Sequence, residues 1–518
     1  MDKVDSVLSR QPQGELSPGR QPPNVRAIGL MLLKVVWVMI CGAAAVALGN
    51  WVAKRLLGPK WMEVFNYGGS LAFLVIIIAN PLFGLLLWIV VSPYFGAAHI
   101  HIPMGRGIPD LGMVRLVLAV YLTMLAAQLA TGRRAMLPIT RVDLFALLSL
   151  VGIGSSISIS YNKIASLAWF FESFCAPVIT YFVARYLIRD ERAFKGVLRA
   201  LVLVGLSMAF VILQEQFMGY SWFPVEGSTT YTKHLRRVTG LLGNAAFLAV
   251  NIAMVLPFAW HAMLNNRARG RRRLLSICIG IMYVGLFMAY NRTGWAGGVV
   301  GILILLLFSS KFRRVFIKLL PIGILLAVLF WQQIVSSYAL TERLTAVNPI
   351  NYRLTSYRLA FDVFLQQPWV GIGFGNLWFL SETMATGSLV LLESVATPHN
   401  SYLWVLASAG LAGFIPYMGT FVMILFDSWR LYRRARKTPA INREPLVALW
   451  VAAIAYMGMA FTLDILYAVY TNILFFFIVG AVLGYHEALA ASAAKMQPSG
   501  EMKIAEPPAS AVLEPHGA

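Results

Sequence analysis

One histidine and three arginines carry the chemistry that this 518-residue chain offers most plainly. His399 stands in Pro398-His399-Asn400-Ser401-Tyr402, Arg236 and Arg237 come just before Thr239-Gly240, and Arg292 lies between Asn291 and Thr293. An imidazole with an ordinary pKa near ~6.5 accepts a hydroxyl proton at physiological pH. A guanidinium grips diphosphate oxygens through a planar fork and keeps its charge. Together these groups suit displacement of a diphosphate from a sugar by an acceptor hydroxyl. A metal-dependent version needs clustered acids, whereas Glu342, Asp362, Glu382 and Glu393 are scattered and no Asp-x-Asp occurs; the expectation is no metal and no cofactor. Asp464, flanked by apolar residues, is the one acid kept as a candidate arginine partner or acceptor ligand, an ordinary loop carboxylate being the alternative.

The elements that must position these residues are membrane spans. The chain is 59% hydrophobic and 13% charged, against roughly 25% charged in a soluble domain, and its mean hydropathy is +0.71. So apolar a chain has too little polar surface to cover a soluble core, and the excess must face lipid. Crossing a ~30 Å hydrocarbon layer takes ~20 apolar residues as helix. Stretches meeting that need are 28–50, 111–131, 141–160, 166–188, 197–218, 240–263, 274–290, 295–310, 315–335, 401–426, 446–463 and 468–486. The stretch 68–95 is too long for one straight helix, and Asn80-Pro81 at its centre makes it a short hairpin or a kinked span. The expected fold is an all-α polytopic membrane protein of about 12–14 transmembrane helices. Residues 28–486 form the membrane domain. Residues 1–27 and 487–518, rich in polar residues and proline, read as disordered tails. The three cysteines lie far apart in apolar runs and read as small buried hydrophobes.

The net charge of +21 points to lipid headgroups, because of where it sits. Five segments, 133–141, 189–199, 267–273, 311–318 and 430–443, hold 22 of the 43 lysines and arginines. An even number of crossings separates each from the next, which is the positive-inside pattern; nucleic acid is excluded as a partner. Both tails then lie on the cytoplasmic side. The segments 219–239 and 336–400 fall on the outer face. The second is far longer than an ordinary connection, and such loops usually carry function. Within it 353–367 has helical periodicity, with Tyr357, Phe361 and Phe364 or Leu365 on one face and Arg358, Asp362 and Gln366 on another. Pro368 ends that helix, and its apolar face is expected to rest on the membrane surface. Arginines on the outer face run against the charge bias. A single one is explained by snorkelling to headgroups; three on one face with a histidine favour an anionic lipid-diphosphate ligand.

Four places resemble the bacterial O-antigen ligase and polymerase family, within a hydropathy pattern that is similar over about residues 60–490. Pro398 through Leu403 with Gly410-Leu411 resembles the family's His-Asn signature. Arg358 through Pro368-Trp369-Val370-Gly371-Ile372-Gly373-Phe374-Gly375-Asn376 resembles its preceding loop motif. Asn291-Arg292-Thr293-Gly294-Trp295 is similar to its Ser-Arg-Gly turn. Arg237-Val238-Thr239-Gly240 with Gly243-Asn244 is similar to its Arg-x-x-Gly before Gly-Asn-Pro-Asn, although Ala245-Ala246 replaces Pro-Asn. The resemblance implies a multi-pass protein of the bacterial inner membrane with its active site facing the periplasm. It implies transfer of a glycan from undecaprenyl diphosphate, with inversion and without metal. His399 would be the base, and Arg292 and Arg237 the diphosphate ligands. Arg236, Arg358, Asn400, Tyr402 and Asp464 complete the candidate substrate contacts. The acceptor would be lipid A–core, another lipid-linked repeat or a protein.

A transporter or flippase of the same lipid-linked glycan is the alternative from another class. It predicts an internal repeat, paired broken helices and charges near the bilayer midplane; the sequence has no clear repeat, and its polar residues gather on one face. Gly371-x-Gly373-x-Gly375 reads as tight turns, since no strand–turn–helix context for a dinucleotide fingerprint surrounds it. Glu172, inside the span 166–188, is expected to face the bundle interior.

Overall fold

The computed structural model describes residues 69, 71–97, 101–102, 111–223, 231–232, 235–236, 238–329, 331–332, 348–377, 398–438 and 441–496. The first expected span, 28–50, and the stretch 378–397 of the long loop lie outside the described residues. The described chain is helical apart from two antiparallel pairings of two residues each, His101–Ile102 with Leu111–Gly112 and Tyr231–Thr232 with Leu235–Arg236. Among the described residues eight helices are long and apolar enough to cross a membrane, and a ninth candidate is a bent pair. The protein is an all-α polytopic membrane protein, as the hydropathy pattern predicts.

The helices follow the expected spans closely, and local chemistry sets their ends. Arg141–Ser155 starts at a capping box, in which the Thr140 hydroxyl and the Asp143 carboxylate each accept the other's backbone N–H. Glu191–Met218 is capped by Asp190 and ends on Gly219 in the left-handed conformation. Arg269–Met288 opens on four arginines, which remove it from a hydropathy count although its apolar length is right. Arg292–Phe308 and Ser310–Leu329 are bent by 120° across Ser309, so they are two helices folded back on each other. The stretch with Asn80-Pro81 is also a hairpin: helix 71–79 and helix Pro81–Ala97 approach so closely that a Cβ at Gly84 would stand 2.7 Å from the Ile77 Cα.

The ends bearing basic clusters are tied together by buried charge. Arg185, 1% exposed, pairs with Asp143 and, at 3.0 Å, with Glu487, while Tyr181 donates to Asp143. A charge so buried persists only when paired and hydrogen-bonded. Glu487 is part of the last helix, Val469–Met496, which runs ten residues past the boundary of 486 that hydropathy predicts. Its Ala-rich sequence favours helix, and Arg185 and Arg189 both bind it at Glu487. The expected disordered tail from 487 is therefore helical at its start.

One break in the bundle bears directly on function. Ser401–Lys437 is two helices joined at Gly410, whose φ of 57° and ψ of −162° are not helical. The Ala407 and Ser408 carbonyls freed by the break accept the N–H groups of Ile372 and Gly373, at 3.0 Å each. Leu411 and Ala412 donate to the carbonyls of Pro368 and Trp369 at 2.8 and 3.0 Å. The glycine-rich loop after Pro368 thus replaces the missing helical bonds, as buried backbone requires. Side chains cannot enter here: a Cβ at Gly371 or Gly410 would lie 2.4 Å from backbone carbon of the other strand, and both residues have positive φ. The short half, 401–409, carries His399 and Asn400 at its start.

Candidate active site

The hinge between Glu444–Thr462 and Val469–Met496 is the hub of the site. Asp464 in that hinge accepts the backbone N–H of His399 on Oδ2 (3.0 Å) and that of Asn400 on Oδ1 (3.1 Å). Ser401 Oγ donates to the Leu463 carbonyl and accepts from the Ile465 N–H, at 3.1 and 2.8 Å. Asn400 then caps its helix, its Oδ1 accepting from the N–H groups of Tyr402 and Leu403. These bonds hold His399 at φ +48°, a conformation that costs a non-glycine residue of order 1–3 kcal/mol. Among the described residues the one other non-glycine at positive φ is Tyr290, also immediately before an N-capping asparagine, Asn291, and next to Arg292. Strain of this kind collects at functional sites.

His399 is placed to be a neutral base. Its Nδ1 lies 3.5 Å from Asp464 Oδ2, and its side chain is 34% exposed against 6% for Asp464. Burial pushes Asp464 up to about 7 despite the two N–H groups and the Arg353 charge that favour its anion. Burial, then Arg353, lowers the His399 pKa below its usual value. At neutral pH the imidazole is therefore unprotonated and able to accept a proton.

Two further elements converge on the hinge. Tyr357 of helix Asn348–Gln366 donates to the Phe461 carbonyl at 3.0 Å and meets the Asn400 amide. Arg353, one turn earlier on the same face, acts electrostatically on His399, Asp464 and Tyr357 alike. Thr293, beside Arg292, has its hydroxyl 3.1 Å from that of Thr462. Helix 348–366 approaches closely because its inward face is made of Ser356 and Ala360, both buried, while Phe361 and Leu365 point outward at 45% and 57% exposure.

The second arginine segment has its own buried carboxylate. Glu215, fully buried near the end of helix 191–218, accepts the Thr239 N–H at 3.1 Å, the Thr239 hydroxyl at 3.3 Å and the Gly240 N–H at 2.9 Å. It fixes the turn that directly follows Arg237. The side chains of Arg236 and Arg237 themselves lie outside the described residues.

The remaining sequence candidates are placed as follows. Arg358 stands on the exposed face of helix 348–366, about 200° around the helix from both Ser356 and Ala360. Tyr402 points into the bundle, donating to the Met457 carbonyl at 2.9 Å and packing near Tyr417 and Phe421. Asn400 is buried and spends its side-chain oxygen on the cap. Arg353 and Glu215 were not among the sequence candidates. The available signal for Arg353 was its spacing of four from Tyr357; Glu215 was the one acid in the span 197–218, between Gln214 and Gln216. Among the described residues no three His, Cys, Asp or Glu side chains gather to hold a metal ion.

No curated protein matches the chain. A family model does: residues 277–418 match the family described as O-antigen ligase. The matched segment begins in the helix before Arg292, includes helix 348–366, and ends beyond His399 and the Gly410 break. Across residues 277–418 the chain is thus similar to the O-antigen ligase family.

Proposed function

We propose that the protein is a metal-independent glycosyl-transferring enzyme of the bacterial inner membrane, working at the periplasmic face. It moves a glycan from undecaprenyl diphosphate to an acceptor hydroxyl, which makes it an O-antigen ligase or a surface-polysaccharide polymerase. The observation that carries this reading is the pairing of His399 with buried Asp464 at a hinge that also gathers Arg353 and the Arg292 turn. A base kept neutral with the Arg353 guanidinium acting on it suits displacement of a diphosphate by a hydroxyl. The O-antigen ligase match supports glycan transfer as the reaction class.

In the proposed reaction the acceptor hydroxyl gives its proton to Nε2 of His399 as its oxygen bonds to the anomeric carbon. Asp464, facing Nδ1, holds the ring and stabilises the imidazolium that forms. The bond from the anomeric carbon to the diphosphate oxygen breaks on the opposite face, so configuration inverts. The departing diphosphate keeps the bonding electrons, and Arg292 and Arg237 receive its charge. Fixed guanidinium groups take the place that a divalent ion occupies in other diphosphate chemistry.

Deletion of the gene followed by glycan profiling tests the reading. Intact polymer left on its lipid carrier identifies a ligase, and single lipid-linked repeats without polymer identify a polymerase. Lipid-linked glycan stranded on the cytoplasmic face would instead make the protein a flippase and remove the proposal.

A further inference from the structure

A cavity of about 270 Å³ opens on the same end of the bundle, next to the hinge. One wall is Tyr467, whose N–H bonds the Asp464 carbonyl at 3.3 Å, and another is Leu241, in the turn that Glu215 fixes after Arg237. The cavity therefore lies between the two segments that hold the proposed base and one proposed diphosphate ligand. Its volume equals that of about nine waters, room for one sugar ring and little more.

Most of its lining is apolar, but a charged pair interrupts it. Arg115 and Glu172, on different helices, are bonded to each other at 2.6 Å in its wall. Glu172 sits in a π-turn, Phe171–Cys175, inside the span Lys163–Leu187, and such insertions are frequent at functional sites. The next residue, Ser173, donates to the Leu466 carbonyl at 2.8 Å, so the π-turn is bonded to the hinge itself. Ser92 and Thr471 also line the cavity, and among the described residues neither hydroxyl has a hydrogen-bond partner, although Thr471 is fully buried. Closing an isoprenoid chain over the ion pair would remove its remaining water without compensation. A sugar supplies donors and acceptors to the ion pair and lays its C–H face on the Tyr467 ring.

We propose that this cavity binds the donor's reducing-end sugar, the residue whose anomeric carbon reacts, with Glu172 and Arg115 bonded to its hydroxyls. The assignment rests on the transfer reaction proposed above. It is tested with the purified full-length protein in lipid nanodiscs, by measuring binding of two probes: the host's own lipid-linked glycan and bare undecaprenyl diphosphate. Glu172→Gln removes one charge-assisted acceptor and is expected to weaken binding of the glycan-bearing lipid by about tenfold or more, leaving the bare lipid diphosphate unchanged. Arg115→Gln, at the other end of the pair, is expected to weaken binding of the same probe, and it serves if Glu172→Gln fails to fold. Equal weakening of both probes would overturn the proposal in favour of a lipid-binding cavity. Unchanged binding of both would reduce the Arg115–Glu172 pair to a structural one. Because binding is read without turnover, a failed transfer assay sinks the reaction while leaving the sugar subsite to stand or fall on these two probes.

Discussion

Asp464→Asn separates a positioning carboxylate from an ordinary loop acid. Both carboxylate oxygens are in use, Oδ1 on the Asn400 N–H and Oδ2 on the His399 N–H and toward the imidazole. An asparagine amide has one acceptor oxygen, so in either orientation its NH2 group faces one of the two backbone donors. A buried donor left unmade costs about 1–3 kcal/mol, enough to let the strained His399 backbone shift. Displacement of a reacting group by about 1 Å costs on the order of 10²-fold in rate. We therefore expect turnover to fall by about 10–10²-fold, with donor binding little changed, inside the ceiling of ~10²–10⁴ set by loss of the base itself. The decisive assay is transfer by purified protein for Asp464→Asn, His399→Ala and the double variant. If Asp464 acts through His399, the double variant is no slower than His399→Ala alone, since residues working as a unit are not additive. Independent, multiplying losses would refute the reasoning and make Asp464 a substrate ligand in its own right.

Three other outcomes follow from the same geometry. Arg353 lowers the His399 pKa, so Arg353→Gln should raise it and move the acid limb of the kcat/KM profile to higher pH, activity being lost sooner on acidification; an unmoved limb would detach Arg353 from the site. His399→Gly and His399→Ala should be equally inactive, but glycine relieves the positive φ, and thermal unfolding should show the glycine variant as the more stable by about 1 kcal/mol. Transfer should persist in excess EDTA, because guanidinium groups offset the diphosphate charge; a loss restored by magnesium or manganese would contradict the metal-free mechanism.

The spans were legible because a hydrocarbon layer imposes length and apolarity on every helix, and nothing else in the sequence imitates that signal. His399, Asn291-Arg292 and Asp464 were legible because polar residues at the ends of such spans stand out. What escaped were partnerships across long separations. Nothing near Gly410 announces that its helix stops there, since the bonds that replace the helical ones come from 368–373, some forty residues earlier. Helix 348–366 was legible as amphipathic, but its inward face proved to be small residues with Tyr357 and Arg353, while Phe361 and Leu365 point outward. The resemblance to the family's loop motif singled out Arg358, and the reading passed over Arg353. Glu215 and Glu172 looked alike as lone acids in apolar spans; only the fold gives one two backbone N–H groups and the other Arg115. The last helix overran its predicted end because an ion pair with Arg185, far away in sequence, holds Glu487 in it.

The central claim is that His399 is the base, and the most direct measurement is turnover and donor affinity of His399→Ala in the purified protein. Turnover is expected to fall by about 10²–10⁴-fold with the donor Kd unchanged, because the imidazole meets the acceptor hydroxyl and not the diphosphate. Near-normal transfer by a well-folded His399→Ala would contradict it and leave the Asp464–His399 pair a structural clamp.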